Sequence, residues 1–363
     1  MKVQLLPENI SSFIPLVSKI LPSHSQLPIL SNILLEATKE GFFIKATDLE
    51  MGVQVKISAK IEEEGAVTIP GKEFLETISS LPKDKIEITL NKDVLTVICR
   101  GSKISFNTIS KDEFPQLFKE KGVEVDVFTR KEFLDIFSCL TFSVSLEETR
   151  PQLGGVYVDG KSNYTNFVST DGYRMSVRKV GRKMGERGNL IVPVGLINEA
   201  IALKTEGGIV LYVNKTENQV ILEMGEAIIV GRMIEGAFPD YERVLPNEFA
   251  TTVVFDRDEL LQNTRLASIF AKESSNIANL EISGGRMKIT TRTQGVGEGE
   301  IIVECTKTGG DNKIAFNIRY LLDVLKNQTA AELTLGLNSP TEPAVFMTSE
   351  KDFSHVIMPI QVD

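Results

Sequence analysis

The amino-acid sequence predicts an α+β protein built from three similar domains, each with an antiparallel sheet and two helices. Two observations predict this class. A strand that leads into a capped helix occurs three times, and a second helix followed by alternating strands recurs in phase with it. A chain of 363 residues is too long for one ordinary domain. We expect domain boundaries at residues 1–122, 123–248 and 249–363.

The first recurring element is a short strand followed by a helix that starts near residue 7, 129 or 256. Two of the three starts carry an N-cap signature, Thr129 with Glu132 and Asp256 with Glu259. A side-chain oxygen at such a position accepts a hydrogen bond from a free backbone N–H of the first turn. The nearly constant spacing of the three starts indicates an internal repeat.

The second recurring element is a helix that follows residue 70, 193 or 317, with two alternating strands after it. Three further strands are predicted between the two helices of each domain. Because an unpaired strand edge must be covered or paired, we expect the three sheets to pair across domain boundaries into one curved sheet. Similar surfaces at the two ends of the chain would then let two copies close a ring head-to-tail.

The composition excludes tight binding of nucleic acid by charge alone. The chain has 40 Lys and Arg against 49 Asp and Glu, a formal net charge of −9, whereas phosphate neutralisation needs clustered cations. Weak contacts with DNA through local basic positions remain compatible with this charge. No apolar run is long enough for a membrane helix, and no signal peptide is evident, so we expect a cytoplasmic protein with no membrane partner.

The sequence contains no recognisable catalytic or metal-binding motif. Cys99, Cys139 and Cys305 are isolated within apolar stretches, and the histidines, His24 and His355, lack zinc-site spacing. We therefore expect no catalytic residues, no metal and no cofactor. Two functional classes stay open for these residues: a hydrolase or transferase that depends on one of the histidines, and a non-enzymatic binding protein, which includes a protein scaffold that binds peptides without surrounding DNA.

Four internal motifs and the C-terminal stretch resemble one family across essentially the whole chain. They are 27–32 (LPILSN), 47–51 (TDLEM), 169–174 (STDGYR), 238–246 (FPDYERVLP) and 356–360 (VIMPI). The family is the bacterial DNA polymerase III β subunit, the sliding clamps. The resemblance implies the DNA clamp fold and a ring-shaped homodimer that encircles duplex DNA without reading its sequence, with no catalytic activity. It also implies that the replicative polymerase subunit, the clamp loader and repair polymerases bind the protein through short clamp-binding motifs. The resemblance further implies that the protein is associated with the bacterial nucleoid.

The resemblance places a partner-peptide pocket between the second and third domains. Apolar side chains rimmed by two arginines and an asparagine suit a short peptide with hydrophobic anchors. The implied residues are Leu153, Thr170, Gly172, Tyr173, Arg174, Met175, Pro239, Arg243, Val244, Asn317, Tyr320, Pro340, Glu342, Val356, Met358, Pro359, Ile360 and Gln361. Taken alone, 170–172 is typical of an ordinary turn, and Gln361 stands where some relatives have arginine.

The resemblance also implies DNA-facing and dimer-forming residues. The DNA-facing candidates are His24, Lys72, Lys103 and Arg150. His24 stands where many members have a basic residue, and two glutamates precede Arg150. For the dimer, Ile104 and Phe106 of one subunit are expected to meet Ile269 and Phe270 of the other, although a core position for Ile269 and Phe270 is about equally compatible with the sequence.

Overall fold

The computed structural model describes residues 1–22, 25–182, 189–205, 207–271, 276–293, 297–350 and 352–361. The chain divides into two compact units. One unit contains Met1–Phe133 with Gly195–Met233, and the other contains Leu134–Val194 with Ile234–Asp363. Each predicted domain contains helices and antiparallel strands, so the predicted α+β class is confirmed.

The helices occur at the predicted places. Their bounds are α1 Pro7–Ser11, α2 Ile14–Ile20, α3 Gly71–Ser80, α4 Arg130–Phe137, α5 Val194–Ala202, α6 Arg257–Ala271 and α7 Ile318–Lys326. The predicted capping box is present: Thr129 Oγ1 accepts from the Glu132 backbone N–H at 3.2 Å, and Glu132 Oε2 accepts from the Thr129 N–H at 2.7 Å. Asp256 Oδ1 likewise accepts from the Glu259 N–H at 2.7 Å.

The first predicted helix is in fact two helices, α1 and α2. Pro15 lies in the first turn of α2. Proline has no N–H to donate to the carbonyl four residues earlier, and its ring clashes with that carbonyl, so a continuous helix through this position is disfavoured. Both helices bury apolar side chains, Ile10 on α1 and Val17 on α2.

The strands of the first predicted domain are β1 Lys2–Leu5, β2 Asn32–Thr38, β3 Gly41–Thr47, β4 Met51–Ile57, β5 Lys60–Glu63, β6 Gly65–Pro70, β7 Ile86–Asn91, β8 Val94–Cys99 and β9 Ser102–Asn107. They belong to two sheets, with β5, β1, β7, β8 and β9 in one and β4, β3, β2 and β6 in the other. The second set comprises β10 Val123–Phe128, β11 Gly155–Gly160, β12 Thr165–Thr170, β13 Arg174–Val180, β14 Leu190–Pro193, β15 Ile209–Asn214, β16 Gln219–Met224 and β17 Ala227–Arg232. The third set comprises β18 Thr251–Asp256, β19 Ile277–Ser283, β20 Arg286–Thr293, β21 Gly297–Glu304, β22 Thr306–Gly309, β23 Asn312–Asn317, β24 Glu332–Leu337, β25 Ala344–Met347 and β26 Phe353–Ile357.

Strands pair across two of the predicted domain boundaries, as expected, but the described strands form four separate sheets and not the one continuous sheet that was expected. In the eight-stranded sheet, ordered β10-β15-β16-β17-β4-β3-β2-β6, β17 lies antiparallel to β4, with Ile229 opposite Val53. In the nine-stranded sheet, ordered β14-β11-β12-β13-β26-β25-β24-β18-β22, β26 lies antiparallel to β13, with His355 opposite Ser176. Each boundary is therefore crossed by a continuous backbone hydrogen-bond ladder.

Each of the remaining two sheets ends on a strand whose counterparts in the repeat are paired across a domain boundary. The five-stranded sheet, β5-β1-β7-β8-β9, ends on β9, and the four-stranded sheet, β21-β20-β19-β23, ends on β21. In the repeat, β9 corresponds to β17 and β26, and β21 corresponds to β4 and β13. Among the described residues, β9 and β21 therefore lack the partner that their counterparts have.

The segments that join the predicted domains pack against these sheets. Phe114 and Leu117 belong to a buried cluster with Ile221, Ile228 and Val230. In the other unit, Tyr241 packs with a similar cluster and accepts a hydrogen bond on its Oη from Asn166 Nδ2 at 2.8 Å, while it donates to Asp159. These contacts fix each linker to the sheet beneath it.

Helices long and apolar enough to cross a membrane do not occur in the described part of the chain. Within the same residues, no group of three or more His, Cys, Asp or Glu side chains could hold a metal ion.

Candidate functional site

The candidate pocket is built on a tight turn between β12 and β13. Asp171 Oδ1 accepts from the backbone N–H groups of Tyr173 and Arg174, each at 2.9 Å, and Thr170 Oγ1 donates to the Arg174 carbonyl at 2.7 Å. Gly172 has a backbone φ of +91°, a conformation that residues with a Cβ rarely adopt. The turn projects the Tyr173 side chain outward, where it is 58% exposed.

Arg174 connects this turn to α7. Its Nε donates to Asp171 at 2.9 Å, Nη1 to Asp323 at 2.6 Å, and Nη2 to the Phe142 carbonyl at 2.6 Å. The guanidinium also lies 4.4 Å from the ring centre of Tyr320, within cation–π range. Each of its three nitrogens already has an acceptor, and the side chain is only 11% exposed. Arg174 therefore positions the pocket wall.

Several predicted pocket residues lie beneath the surface. Leu153, Met175 and Val356 are 3%, 4% and 1% exposed, so they support the pocket from below. Met175 and Val356 pack in the same cluster as Tyr241, with Phe238 and Leu245 against its edge. A peptide would meet the exposed residues above this floor.

The exposed rim combines apolar side chains from three segments. Tyr173, Val244 and Met358 are each more than one third exposed. Pro239, five residues before Val244, is also exposed. Arg243 is 83% exposed and forms an ion pair with Asp240 at 2.6 Å. Contiguous exposed apolar side chains are typical of interaction surfaces, and the backbone bond from Met358 to Tyr173 brings two of these three residues together.

The segment that follows β26 lies across both sides of the site. The Met358 N–H donates to the Tyr173 carbonyl at 2.9 Å, and the Ile360 N–H donates to the Ala315 carbonyl at 2.8 Å. These two bonds hold Pro359 between the turn and β23. Gln361, the last described residue, is exposed.

The remaining predicted pocket residues belong to neighbouring turns. Asn317 caps α7, since its Oδ1 accepts from the Arg319 N–H at 3.0 Å. Pro340 and Glu342 are exposed in the loop between β24 and β25, where the Glu342 N–H donates to the Ser339 carbonyl at 3.3 Å. The structure thus joins Tyr173, Arg174, Tyr320 and Met358 by direct contacts, and it leaves Pro340 and Glu342 in a separate loop.

A serine and a histidine lie together below the pocket, but they are inaccessible. Ser176 Oγ is 2.7 Å from His355 Nδ1, and Ser143 Oγ donates to Ser176 at 2.9 Å. Both Ser176 and His355 are fully buried. Burial, with a smaller effect from the Arg174 charge, lowers the pKa of His355 to about 3. No substrate reaches this pair, so it does not form a catalytic dyad.

The predicted DNA-facing residues differ in how free their charges are. Lys72 on α3 and Lys103 on β9 are exposed. Arg150 is paired with Glu147 at 2.7 Å, and its Nη1 would lie 2.8 Å from a Cβ at Gly172. The Glu147 hydrogen bond is the largest cause of a raised pKa at Arg150. His24 lies outside the described residues.

The predicted dimer residues lie at sheet and helix edges. Phe106 is 8% exposed and packs edge-on against Phe74, with ring centres 5.9 Å apart, while Ile104 is half-buried. Ile269 is 60% exposed, and a Cβ at Gly299 would lie 3.2 Å from Phe270. Sequence reasoning missed Leu266, which is 51% exposed and one helical turn before Ile269. The signal available in the sequence was the three-residue spacing of Leu266 and Ile269, which places both side chains on one face of the helix.

Comparison with sequence families gives one consistent result. Models of the DNA polymerase III beta subunit match in chain order: the N-terminal domain at residues 1–118, the central domain at 128–240 and the C-terminal domain at 242–361. Together they span nearly the whole chain.

Individual relatives agree with the family match. A beta sliding clamp from Synechocystis sp. is 26% identical over the full length of both chains. The Pseudomonas aeruginosa DNA polymerase sliding clamp with ligand has a TM-score of 0.93 and 25% identity over the full length of both chains. A C. crescentus beta sliding clamp with polyethylene glycol at a region assigned to beta-motif tethering has a TM-score of 0.91 and 27% identity, covering 100% of this chain and 99% of that one.

Proposed function

The chain belongs to the DNA polymerase III beta subunit family, the sliding clamps, and we propose that two copies close head-to-tail into a ring around duplex DNA. It is a processivity factor for DNA polymerase and not an enzyme. We further propose that each subunit contributes three clamp domains, residues 1–122, 123–248 and 249–363, and that the ring works in the bacterial cytoplasm on nucleoid DNA.

The observation that carries the ring is the pattern of cross-boundary strand pairing. The last strand of the second domain pairs with β4 of the first, and the last strand of the third pairs with β13 of the second. By the same rule, β9 of one subunit pairs with β21 of the next. Two such junctions per dimer would leave neither edge open, which removes the aggregation hazard of an unpaired strand.

The repeat also specifies the register of this junction. Phe106 precedes Ile109 by three residues, as Gly231 precedes Ile234 and Ile357 precedes Ile360. The three isoleucines occupy equivalent places: Ile109 and Ile234 bridge to the strand before the second helix, and the Ile360 N–H donates to the Ala315 carbonyl. Gly231 lies opposite Met51, and Ile357 lies opposite Arg174.

The counterpart of Met51 and Arg174 in the third domain is Gly297, since each follows a threonine by four residues. Phe106 should therefore lie opposite Gly297, and Ile104 opposite Gly299. The Phe270 ring lies against both glycines, since a Cβ at Gly297 or Gly299 would be 3.7 or 3.2 Å from it. On the other face, Lys103 should lie opposite Glu300, which gives an opposite-charge pair across the junction. This register makes Ile104, Phe106, Ile269 and Phe270 neighbours.

Enclosure explains how an acidic protein acts on DNA. A protein that holds DNA by its topology needs only weak, sequence-independent attraction, and strong phosphate contacts would slow its sliding. We propose that Lys72 contributes such attraction, with Arg150 and His24 as further candidates. Lys103 is the fourth candidate, but the proposed register places it opposite Glu300, so its contribution should be small. The pairing of Arg150 with Glu147 argues for a small contribution from that residue.

We propose that the exposed rim around Tyr173, Val244 and Met358 binds short clamp-binding motifs of partner proteins. The support is the combination of exposed apolar side chains, a rigid hydrogen-bonded turn and a buried floor, a preorganised arrangement that favours peptide anchors. The proposed partners are the replicative polymerase subunit, the clamp loader and repair polymerases. The remaining predicted pocket residues are proposed as its floor and flanks.

Retention on DNA of different topology tests the proposed function. After a clamp loader acts, the protein should remain on nicked circular DNA during gel filtration and should be released when the circle is linearised. A clamp that slides off free ends explains both results. Equal retention on linear and circular DNA would contradict enclosure, and binding of partner peptides without any retention would favour the protein-only scaffold.

A further inference from the structure

An ion pair links the neighbouring domains at each of the two domain junctions within the chain. At the first, Lys19 Nζ on α2 lies 2.9 Å from Glu199 Oε1 on α5. At the second, Arg174 Nη1 on β13 lies 2.6 Å from Asp323 Oδ2 on α7. In both pairs the earlier domain supplies the cation and the second helix of the later domain supplies the acid.

The two acids occupy the same position in the repeat. Glu199 is the sixth residue of α5, and Asp323 is the sixth residue of α7. The sixth residue of α3, the corresponding helix of the first domain, is Glu76. An acidic residue therefore stands at this position in all three domains.

Glu76 differs from its counterparts in its surroundings. The side chains of Glu199 and Asp323 are 12% and 35% exposed, because the preceding domain covers them. Glu76 is exposed, and within the described part of the chain it forms no ion pair. The first domain has no preceding domain in its own chain that could supply the cation. In the proposed ring, the third domain of the other subunit takes that place.

The exposed side of α6 in the third domain carries a suitable cation. Arg265 is exposed and lies one turn before Ile269, so the two side chains share a helix face with the exposed Leu266 beside them. The other cation in the described length of α6, Arg257, is already paired with Asp258 at 2.8 Å. Arg265 is thus available where the dimer contact through Ile269 is proposed.

We propose that Glu76 of one subunit pairs with Arg265 of the next, so that an ion pair at the sixth residue of the second helix completes every junction of the ring. This inference rests on the proposed homodimer and adds a second contact, on the helix side of the junction, to the strand pairing of β9 with β21. The charges at this contact are partly exposed, so the pair weakens as the salt concentration rises.

Sedimentation velocity across a dilution series tests the pair. Glu76→Lys places two cations together and should raise the dimer dissociation constant at least about tenfold at low salt. Arg265→Glu should have a similar effect. The double variant Glu76→Lys with Arg265→Glu restores an opposite-charge pair, and its dissociation constant should return to within about threefold of the unmodified protein.

The control is Glu40→Lys, which makes the same charge change at an exposed residue in the turn between β2 and β3. It should leave the dissociation constant unchanged, and circular dichroism of each variant checks folding. If the unmodified protein is a dimer and Glu76→Lys leaves its dissociation constant unchanged, the ion pair is overturned and the ring proposal stays intact. Weakening without restoration in the double variant would overturn the assignment of Arg265. An unmodified protein that is monomeric at micromolar concentration would overturn the ring itself.

Discussion

Single residues at the second junction combine several contacts that no sequence motif specifies. Arg174 bonds to Asp171, Asp323 and the Phe142 carbonyl, while its face lies over Tyr320. The family resemblance placed Arg174 in the pocket but could not assign its contacts, because three of them come from elements distant in sequence. His355 was considered only as a catalytic alternative, whereas its burial makes it a structural residue.

The buried His355 should make stability depend on pH. Its pKa is lowered to about 3 by burial, below its ordinary value of 6.5, so between these values the unfolded chain binds a proton that the folded chain does not. The stability contribution is therefore complete above pH 6.5 and is lost as the pH falls toward 3, at about 1.4 kcal/mol per pH unit.

Denaturant unfolding between pH 7 and pH 5 measures this effect. His355→Gln removes the titrating group but keeps a polar side chain, so its unfolding free energy should fall less with decreasing pH than that of the unmodified protein. If the unfolding free energies of the two proteins fall in parallel as the pH decreases, His355 is not the residue that causes the pH dependence of stability.

At the scale of elements, the sequence predicted those features that depend on local pattern. The helix caps at Thr129 and Asp256, the second helices and the strand pairs after them follow from N-cap residues and from periodicity, and they are present. Of the third strands after the second helices, the one that carries Ile104 and Phe106 was expected from their alternation, whereas β17 and β26 were not predicted. β17 reads as a continuous apolar run without alternation, whereas β9 alternates polar residues with Ile104 and Phe106. These strands are fixed by the sheet edges that they extend.

The segment after β26 is the element on which the pocket proposal depends most. Met358→Ala removes the exposed anchor of this segment but keeps the backbone bond to Tyr173, so the fold should remain intact. Affinity for a clamp-motif peptide should fall by about 1–2 kcal/mol, or about 5- to 30-fold in Kd. Isothermal titration calorimetry measures this loss.

A matched truncation outside the pocket is Met233→Ala, at a half-buried methionine in the other unit. It should leave the peptide Kd unchanged. Equal affinities for the unmodified protein and Met358→Ala would remove Met358 from the binding surface.

For the whole molecule, the repeat allows the assembly to be inferred from one chain. Three similar domains give two junctions within the chain, and the two unmatched edges, β9 and β21, indicate a third between chains. In the proposed register, one face of that third junction would carry Lys103 opposite Glu300, whereas at the other two junctions the same region holds buried apolar clusters that include linker residues. A junction without a covering linker needs a polar outer face, because that face stays in water.

A disulfide cross-link at this junction tests the ring most directly. The proposed register places Ser105 opposite Glu298, and facing residues of antiparallel strands are close enough for a disulfide. The variant Ser105→Cys with Glu298→Cys should oxidise to a covalent dimer that stays on closed circular DNA in high salt and leaves it after linearisation. Ser105→Cys with Ile302→Cys, which lies on the same face but out of register, should not cross-link. Absence of a covalent dimer in the first variant, or its equal loss from circular and linear DNA, would contradict the account.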